Sequence, residues 1–393
     1  MIYPILQLKP GREKSVINRH PWIFSGGIQK MQNAAEGDII QVQTAGREVL
    51  GYGFYSAESQ ISCRMFDWEQ EPADFESSAY WMRKMENARH MRNSLLNRNQ
   101  TNCYRLLHAE GDFLPGLIVD VYDQLAVVQF LIEGTAKRKD LFTGCLQSLG
   151  FKNIYARSSA SSKAQQDSEE KAGWVSGELG SPLTVLENGL KFQVDFIKGQ
   201  KTGFFLDQRE NRLVLQQLAK GRTVLNAFSY TGGFSVYAAA GAAKEVHSLD
   251  ISSEAVKLAE ENVLLNFPQT KHQSIAKDCF EYLRGMEDNF YDLIVLDPPA
   301  FAKNKHSVDK AARGYKDINM KAMEKIREGG LLFTFSCSQH ISKDLFQKIV
   351  FGAAADAGRN VRIVQQLHQP ADHPVNIFHP EGEYLKGLLL WVE

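Results

Sequence analysis

The rhythm of apolar and polar positions changes twice along the chain. Over residues 1–70 short segments alternate, Ile40 and Val42 standing against Gln41 and Gln43, with Gly46 and Gly51 as punctuation. Period-two alternation in short, glycine-bounded runs predicts strands of a small β-barrel. Residues 71–188 begin with a helical stretch, SSAYWMRKMENARHMRNSLL, and continue with CYRLLHAEGDFLPGLIVDVYDQLAVVQFL. The second stretch predicts paired strands turning at Gly111-Asp112 and Asp123-Gln124, hence a central α+β domain. The polar run SSASSKAQQDSEEKAGW then reads as a mobile loop.

From residue 189 to 393 strands and helices alternate regularly. TVLNAF, EVHSLD, HQSIAKD, YDLIVLD, LLFTFS, RIVQQL and YLKGLLLWV read as strands of one sheet. FSVYAAAGA, SEAVKLAEENVLLNF, FEYLRGM and AARGYKDINMKAMEKIRE read as the helices between the first five, with Gly329-Gly330 ending the last. SKDLFQKIVFGAAADAG adds a helix before the final two strands, which have none between them and so must be antiparallel neighbours. Such alternation means a doubly wound α/β fold with ligands beyond the carboxyl ends of its strands. A seven-stranded, mostly parallel sheet closed by an antiparallel edge pair resembles class I (Rossmann-like) methyltransferases more than an NAD-binding domain.

Composition narrows little. The 44% hydrophobic and 23% charged fractions are ordinary for a globular protein, and a net charge of −1 requires any nucleic-acid surface to be local. Five scattered cysteines without a CxxC pair argue against a disulfide framework or a zinc site. With no signal-peptide pattern at MIYPILQLKPGREK and no membrane-spanning apolar run, a cytoplasmic location is expected.

The turn Asn226-Ala227-Phe228-Ser229-Tyr230-Thr231-Gly232-Gly233-Phe234 follows the first strand of the sheet. Adjacent glycines there let a ligand approach the backbone at a helix N-terminus, although a tight turn without a ligand has the same pattern. Asn226, Phe228, Tyr230, Thr231 and Gly232 are therefore candidate cofactor contacts. Asp250, ending SLDIS beside Ile251, can accept the hydroxyl protons of a ribose. Asp278, next to Cys279, can accept from an adenine amino group or simply cap a helix. KTGFFLDQRENRL reads either as a lid, with Phe204 or Phe205 on the cofactor and Arg209 near its carboxylate, or as a helix start capped by Asp207.

Asp297 precedes two prolines that stiffen the turn after the fourth strand. Methyltransferases acting on exocyclic amines have an aromatic residue directly after such a turn, where this chain has Ala300. Cys337, between Ser336 and Ser338 after the fifth strand, lies where a methyl donor would be. Carbon 5 of a pyrimidine is too weak a nucleophile unless a thiolate first adds to carbon 6, which calls for an exposed, acidified cysteine. The alternative is a small core residue, as most free cysteines are.

KTGFFLDQRENR, NAFSYTGGFSVYA, SLDIS, DPPAFAKNK, FSCSQH and EGEYLKGL together resemble the RlmI-type 23S ribosomal RNA cytosine-5 methyltransferases, over the whole chain. The resemblance implies an RNA-binding PUA domain over 1–70, an EEHEE-type domain over 71–188 and a methyltransferase domain over 189–393. It implies S-adenosylmethionine as cofactor, large-subunit ribosomal RNA as partner, and Cys337 as nucleophile. Asp297 would contact N3 of the cytosine as well as line the cofactor cleft; protonated, it would help the ring accept electrons. Another class of RNA cytosine-5 enzymes carries a second cysteine where this chain has Pro299, so the base that removes the carbon-5 proton is not identified.

Arg83, Lys84, Arg89, Arg92 and Arg98 in one predicted helix, and Lys137-Arg138-Lys139, are candidate phosphate contacts or plain solvated faces. Arg19 with Trp22 suits a basic, stacking contact with unpaired RNA, unless Trp22 is core. Lys303 and Lys305, with Asn304, could guide RNA to the active site. The residues admit a homodimer without demanding one. Two other readings compete: an RNA methyltransferase of different regiochemistry (uridine carbon 5 or guanine N7), and a non-catalytic ribosome-assembly factor.

Overall fold

The structure, a computed structural model, describes residues 2–157, 172–302 and 304–393. Most of the polar run expected to be a loop therefore lies outside the described residues, though Gly173 and Trp174 at its end open a strand. The chain forms two compact units, Met1–Ser181 with Phe196–Thr202 and Ala371–Gly382, and Pro182–Asp195 with Gly203–Pro370 and Glu383–Glu393.

In the first unit, β1 (Ile5–Leu8), β2 (Trp22–Phe24), β3 (Ile28–Met31), β4 (Ile39–Gln43), β5 (Val49–Tyr55) and β6 (Ile61–Asp67) form one sheet, ordered β2-β6-β5-β4-β1-β3. The end strands β2 and β3 share no ladder among the described residues, so the barrel-like module is built from a single mixed sheet. Ile40 and Val42 enter a core with Leu6, Ile23 and Met65, together with Val16 of the short helix α1 (Lys14–Ile17). Gly51 does not mark a turn: it lies inside β5 at φ +137, where a Cβ would stand 2.1 Å from the Asp67 carbonyl oxygen. Close strand approach, not chain reversal, requires it.

The same unit continues with α2 (Ser78–Leu95), β7 (Cys103–His108), β8 (Leu117–Tyr122), β9 (Leu125–Phe130), α3 (Glu133–Ala136), α4 (Lys139–Ser148), β10 (Asn153–Arg157) and β11 (Gly173–Ser176). β7, β8 and β9 pair antiparallel as the turn residues predict, with Asp123 at φ 56 in the two-residue β8–β9 turn. Phe54, Phe66, Trp81, Leu106, Val119 and Phe142 share one core, which ties the two sheets of this unit to α2 and α4.

The second unit opens with the hairpin β12 (Leu183–Glu187) and β13 (Leu190–Val194), which straddles residue 188. There follow α5 (Arg209–Leu218), β14 (Thr223–Ala227), α6 (Gly233–Ala240), β15 (Glu245–Asp250), α7 (Ser253–Asn266), β16 (His272–Ala276) and α8 (Cys279–Gly285). The unit ends with β17 (Leu293–Leu296), α9 (Val308–Lys325), β18 (Gly330–Ser336), α10 (Lys343–Ala357), β19 (Val361–Leu367) and β20 (Lys386–Val392). The sheet order is β16-β15-β14-β17-β18-β20-β19, parallel except for β20, which runs antiparallel to both neighbours as expected. α9 stops at Lys325, ahead of the glycine pair; Gly329, at φ 73, serves instead the turn into β18. Strand order reverses between β14 and β17, so the crevice beyond their carboxyl ends is the natural ligand site.

Candidate functional site

The turn leaving β14 is strained. Phe228 (φ 58), Tyr230 (φ 45) and Gly232 (φ 78) are all left-handed, and the two non-glycine residues each cost roughly 1–3 kcal/mol. The turn holds because Ser229 N–H donates to Leu249 O and Gly232 N–H to Ser229 O, both at 2.9 Å. Asn262 donates to the carbonyl of buried Thr231 at 2.9 Å. Two buried oxygens, Asn226 Oδ1 and Ser229 Oγ, have no hydrogen-bond partner. Unpartnered polar atoms at a strained strand-to-helix turn are what a ligand site leaves.

Asp250 ends β15 half-buried, its Oδ2 accepting from Tyr230 N–H (2.9 Å) and its Oδ1 from Ser252 N–H (3.0 Å). Each carboxylate oxygen has a second lone pair, so both retain capacity for a ligand hydroxyl. Capping of α7 is indeed left to Ser252, whose Oγ accepts from Ala255 N–H. Asp278 caps α8 with one oxygen, Oδ1, accepting from Glu281 N–H. Ile251 beside Asp250 is exposed. Asp207 does not cap α5, since no side chain does; its carboxylate accepts from Tyr384 Oη at 2.7 Å.

Two expected cofactor side chains are core instead. Phe204 is 3% exposed, packed on Phe192 and under the Arg212 guanidinium, 4.7 Å from its ring centre. Arg212 is itself fixed by a buried bidentate pair with Glu187 (2.8 and 2.7 Å), which the sequence did not single out. Cys279 is buried against the Leu249 carbonyl, and burial pushes its thiol up to about 12. Phe205 stays partly open, edge-on to Tyr230 at 5.2 Å. Arg209 is buried and reaches Glu210 at 3.2 Å.

β17 and β18 are parallel neighbours, so Asp297 and Cys337 leave adjacent strands at the same edge. Both are half-buried. The Cys337 thiol donates to the Pro298 carbonyl at 3.9 Å, which places the sulfur beside the Asp297-Pro298-Pro299 turn. Ser336 and Ser338 are not exposed polar flanks but wholly buried anchors. Ser338 Oγ accepts from Ala302 N–H (3.2 Å) and bonds Tyr315 Oη of α9 (2.9 Å), pinning the two strand-end turns together. Lys386, opposite Ser336 on β20, is buried and donates to Ser338 O (2.8 Å) and Tyr384 O (2.7 Å). Burial lowers its amine to about 8, against the opposing charge of Cys337. Lys386 was visible in the sequence only as a letter in EGEYLKGL.

The basic candidates divide. Arg19 and Arg83 are exposed. Arg92 cannot meet a phosphate: it is fully buried, paired with Asp112 and donating to the carbonyls of Arg105 and Asp372. Lys84 is spent on the Phe66 carbonyl at 2.8 Å, and burial lowers it to about 8. Arg89 reaches the Leu149 carbonyl at 3.4 Å. Arg98 lies beyond α2, stacked 3.7 Å over Tyr104. Lys137 and Arg138 pair with Asp38 and Glu76. Trp22 is half-buried, its Nε1 donating to Glu110 at 2.8 Å and its ring 4.3 Å from that of His379. Lys303 and the Lys305 side chain lie outside the described residues.

Residues 104–390 match the family model of S-adenosylmethionine-dependent methyltransferases, and residues 6–68 that of a PUA-like domain. The ribosomal RNA large subunit methyltransferase I of Alteromonas mediterranea is 41% identical over 97% of this chain and 97% of its own. That of Escherichia coli is 42% identical over 97% and 98%. The chain belongs to this methyltransferase family. A Streptococcus mutans SAM-dependent methyltransferase shares the fold end to end, with TM-score 0.84 at 22% identity over 100% of both chains. A methyltransferase crystallised with SAH does so at TM-score 0.85 and 23% identity, again over 100% of both. As a member of the family the chain uses S-adenosylmethionine, and the crevice fits it: an N-terminal helix turn, an acid with spare lone pairs and two orphaned buried oxygens meet there. Among the described residues no cluster of ligands suits a metal, and no helix is long and apolar enough to cross a membrane.

Proposed function

We propose that this protein methylates carbon 5 of a cytosine in large-subunit ribosomal RNA, with Cys337 as nucleophile. The observation that carries the reading is the position of the Cys337 sulfur, half-buried at the carboxyl end of β18 and 3.9 Å from Pro298 O beside Asp297. The 41–42% identical relatives named for large-subunit ribosomal RNA support the substrate class. A cytoplasmic location follows from that substrate. In this reading the chain is organised as a PUA module, a central domain and a methyltransferase domain, the first offering Arg19 and Trp22 to RNA and the second Arg83.

S-adenosylmethionine, when bound, supplies an electrophilic methyl group. Asp250 would hold its ribose, Asp278 its adenine, and the turn from Phe228 to Gly232 its central part, with Asn226 behind and Phe205 and Arg209 closing over it. Cys337 then adds as thiolate to carbon 6 of the cytosine: an S–C bond forms and the ring π electrons move to carbon 5, making it nucleophilic. Asp297 binds the N3 edge, so the ring accepts those electrons where a polar partner stands. After carbon 5 is substituted, loss of its proton and expulsion of the thiolate restore the aromatic ring.

The decisive experiment compares mass-mapped ribosomal RNA from a strain lacking this protein with wild type, and traps purified protein on 5-fluorocytosine RNA. A missing 5-methylcytosine and a covalent adduct at Cys337 are expected. Full methylation by Cys337→Ala would instead point to guanine N7, and intact ribosomal RNA in the deletion strain to an assembly factor.

A further inference from the structure

Lys386 is buried to 6% exposure, yet its amine donates to carbonyl oxygens and not to a carboxylate. A buried ammonium without a carboxylate is expensive, so a lysine at such a place needs a reason beyond packing. The sheet supplies one. In the β18–β20 ladder Lys386 stands opposite Ser336, one residue before Cys337, and its Nζ is 2.8 Å from the carbonyl of Ser338, one residue after it. The lysine is thus tied to both sides of Cys337, its backbone paired with Ser336 and its amine bonded to the Ser338 carbonyl.

The hydrogen-bond count fits a proton acceptor. A neutral amine has two N–H groups and one lone pair. Ser338 O and Tyr384 O occupy two N–H groups at 2.8 and 2.7 Å, so the neutral amine keeps its lone pair, and the ammonium its third N–H, for one further partner. We propose that Lys386 is the positioning residue for Cys337: its amine takes the thiol proton, and the resulting ammonium, anchored on the Ser338 and Tyr384 carbonyls, holds the sulfur as thiolate. The S–H bond breaks, an N–H bond forms, and no other reactant is needed. This rests on Cys337 being the nucleophile.

The surroundings agree. Burial lowers the Lys386 amine to about 8, while the charges of Cys337 and Glu383 favour its protonated form. Burial likewise raises the Tyr315 hydroxyl, and Cys337 adds to that rise, so the hydroxyl of α9 stays neutral, while the Asp297 carboxyl beside Pro298 is the acid that opposes a thiolate there. Lys386 is the cation whose charge couples to the thiolate from β20.

The test is the pH profile of iodoacetamide alkylation at Cys337, read by peptide mass spectrometry. The other four cysteines are buried, so the reagent reports on this one. Wild type should show a midpoint below the ordinary thiol value of about 8.5. Lys386→Met should raise it by about one pH unit or more, and Lys386→Arg, which keeps a positive charge, should hold it low. A wild-type midpoint at or above the ordinary value overturns the proposal whatever the variants do. So does an unchanged midpoint in a folded Lys386→Met protein that binds S-adenosylmethionine normally. Should that variant fail to fold, Lys386→Arg decides: an ordinary thiol midpoint in it rejects the pairing. Covalent trapping on 5-fluorocytosine RNA that persists while the midpoints fail to move rejects only this pairing, whereas full methylation by Cys337→Ala rejects the nucleophile itself.

Discussion

The thiol of Cys337 and the carbonyl of Pro298 meet at 3.9 Å across the carboxyl edge of two neighbouring parallel strands. That contact sets the sulfur against a turn stiffened by two prolines, so the proposed nucleophile is located by backbone and not by a mobile side chain. Cys337→Ala is accordingly expected to lose methylation by about a thousandfold or more, as removal of a nucleophile does. Calorimetry should find S-adenosylmethionine binding within a few-fold of wild type. Loss of both together would show that the residue supports the fold and not the reaction.

Asp250 carries a second prediction. Both its oxygens hold backbone N–H groups of the turns that flank the crevice, and each has a lone pair left. Asp250→Asn preserves one acceptor but exchanges the other for a donor. S-adenosylmethionine affinity should fall by about ten- to a hundredfold, the worth of one to two charge-assisted hydrogen bonds, with the melting temperature of the free protein lowered modestly because one backbone N–H loses its acceptor. Unaltered affinity in the titration would remove Asp250 from the cofactor site.

Much of this was legible in the chain before its fold was known, and the exceptions have physical reasons. The succession of strands and helices, the antiparallel edge pair and the strand-end positions of Asp297 and Cys337 follow from periodicity and punctuation alone. Lys386 does not, because its strand reads as nearly unbroken apolar sequence and only the β18–β20 register brings its amine to the Ser336–Ser338 turn. Ser336 and Ser338 looked like polar flanks of an exposed thiol; both are instead buried, and the Ser338 hydroxyl is consumed in fixing two turns together. Arg92 had a signal that was available. Trp81, Met85, Ala88 and Arg92 recur at spacings of four, three and four, one buried stripe of α2. Counting basic residues without regard to the helix face hid it.

That stripe separates two arginines of one helix. Arg92→Gln breaks a buried ion pair with Asp112, so it should cost about 3–5 kcal/mol in urea denaturation. Arg83 is exposed and should behave oppositely. Arg83→Gln is expected to leave stability within about 0.5 kcal/mol, and to reduce the salt dependence of RNA binding by about one counterion. A stable Arg92→Gln protein with weakened RNA binding would reverse both assignments.

Acid should loosen the second unit through His272 on β16. Its ring accepts a place beside Ser248 Oγ at 2.8 Å, and burial, reinforced by His247, lowers it from the ordinary 6.5 to about 4. A depressed histidine means that the unfolded chain binds the proton more readily than the folded one. The contribution to stability is therefore complete above pH 6.5 and is lost progressively as the pH falls towards 4, amounting to at most about 3 kcal/mol. Hydrogen exchange over β15 and β16, measured between pH 7 and pH 4.5 and corrected for intrinsic rates, should show this loss in wild type. In His272→Gln the same strands should keep a flatter profile, since a side chain that does not titrate cannot couple folding to protons. Identical profiles for the two proteins would mean that the ring charges in place without cost, and that the burial around it admits water.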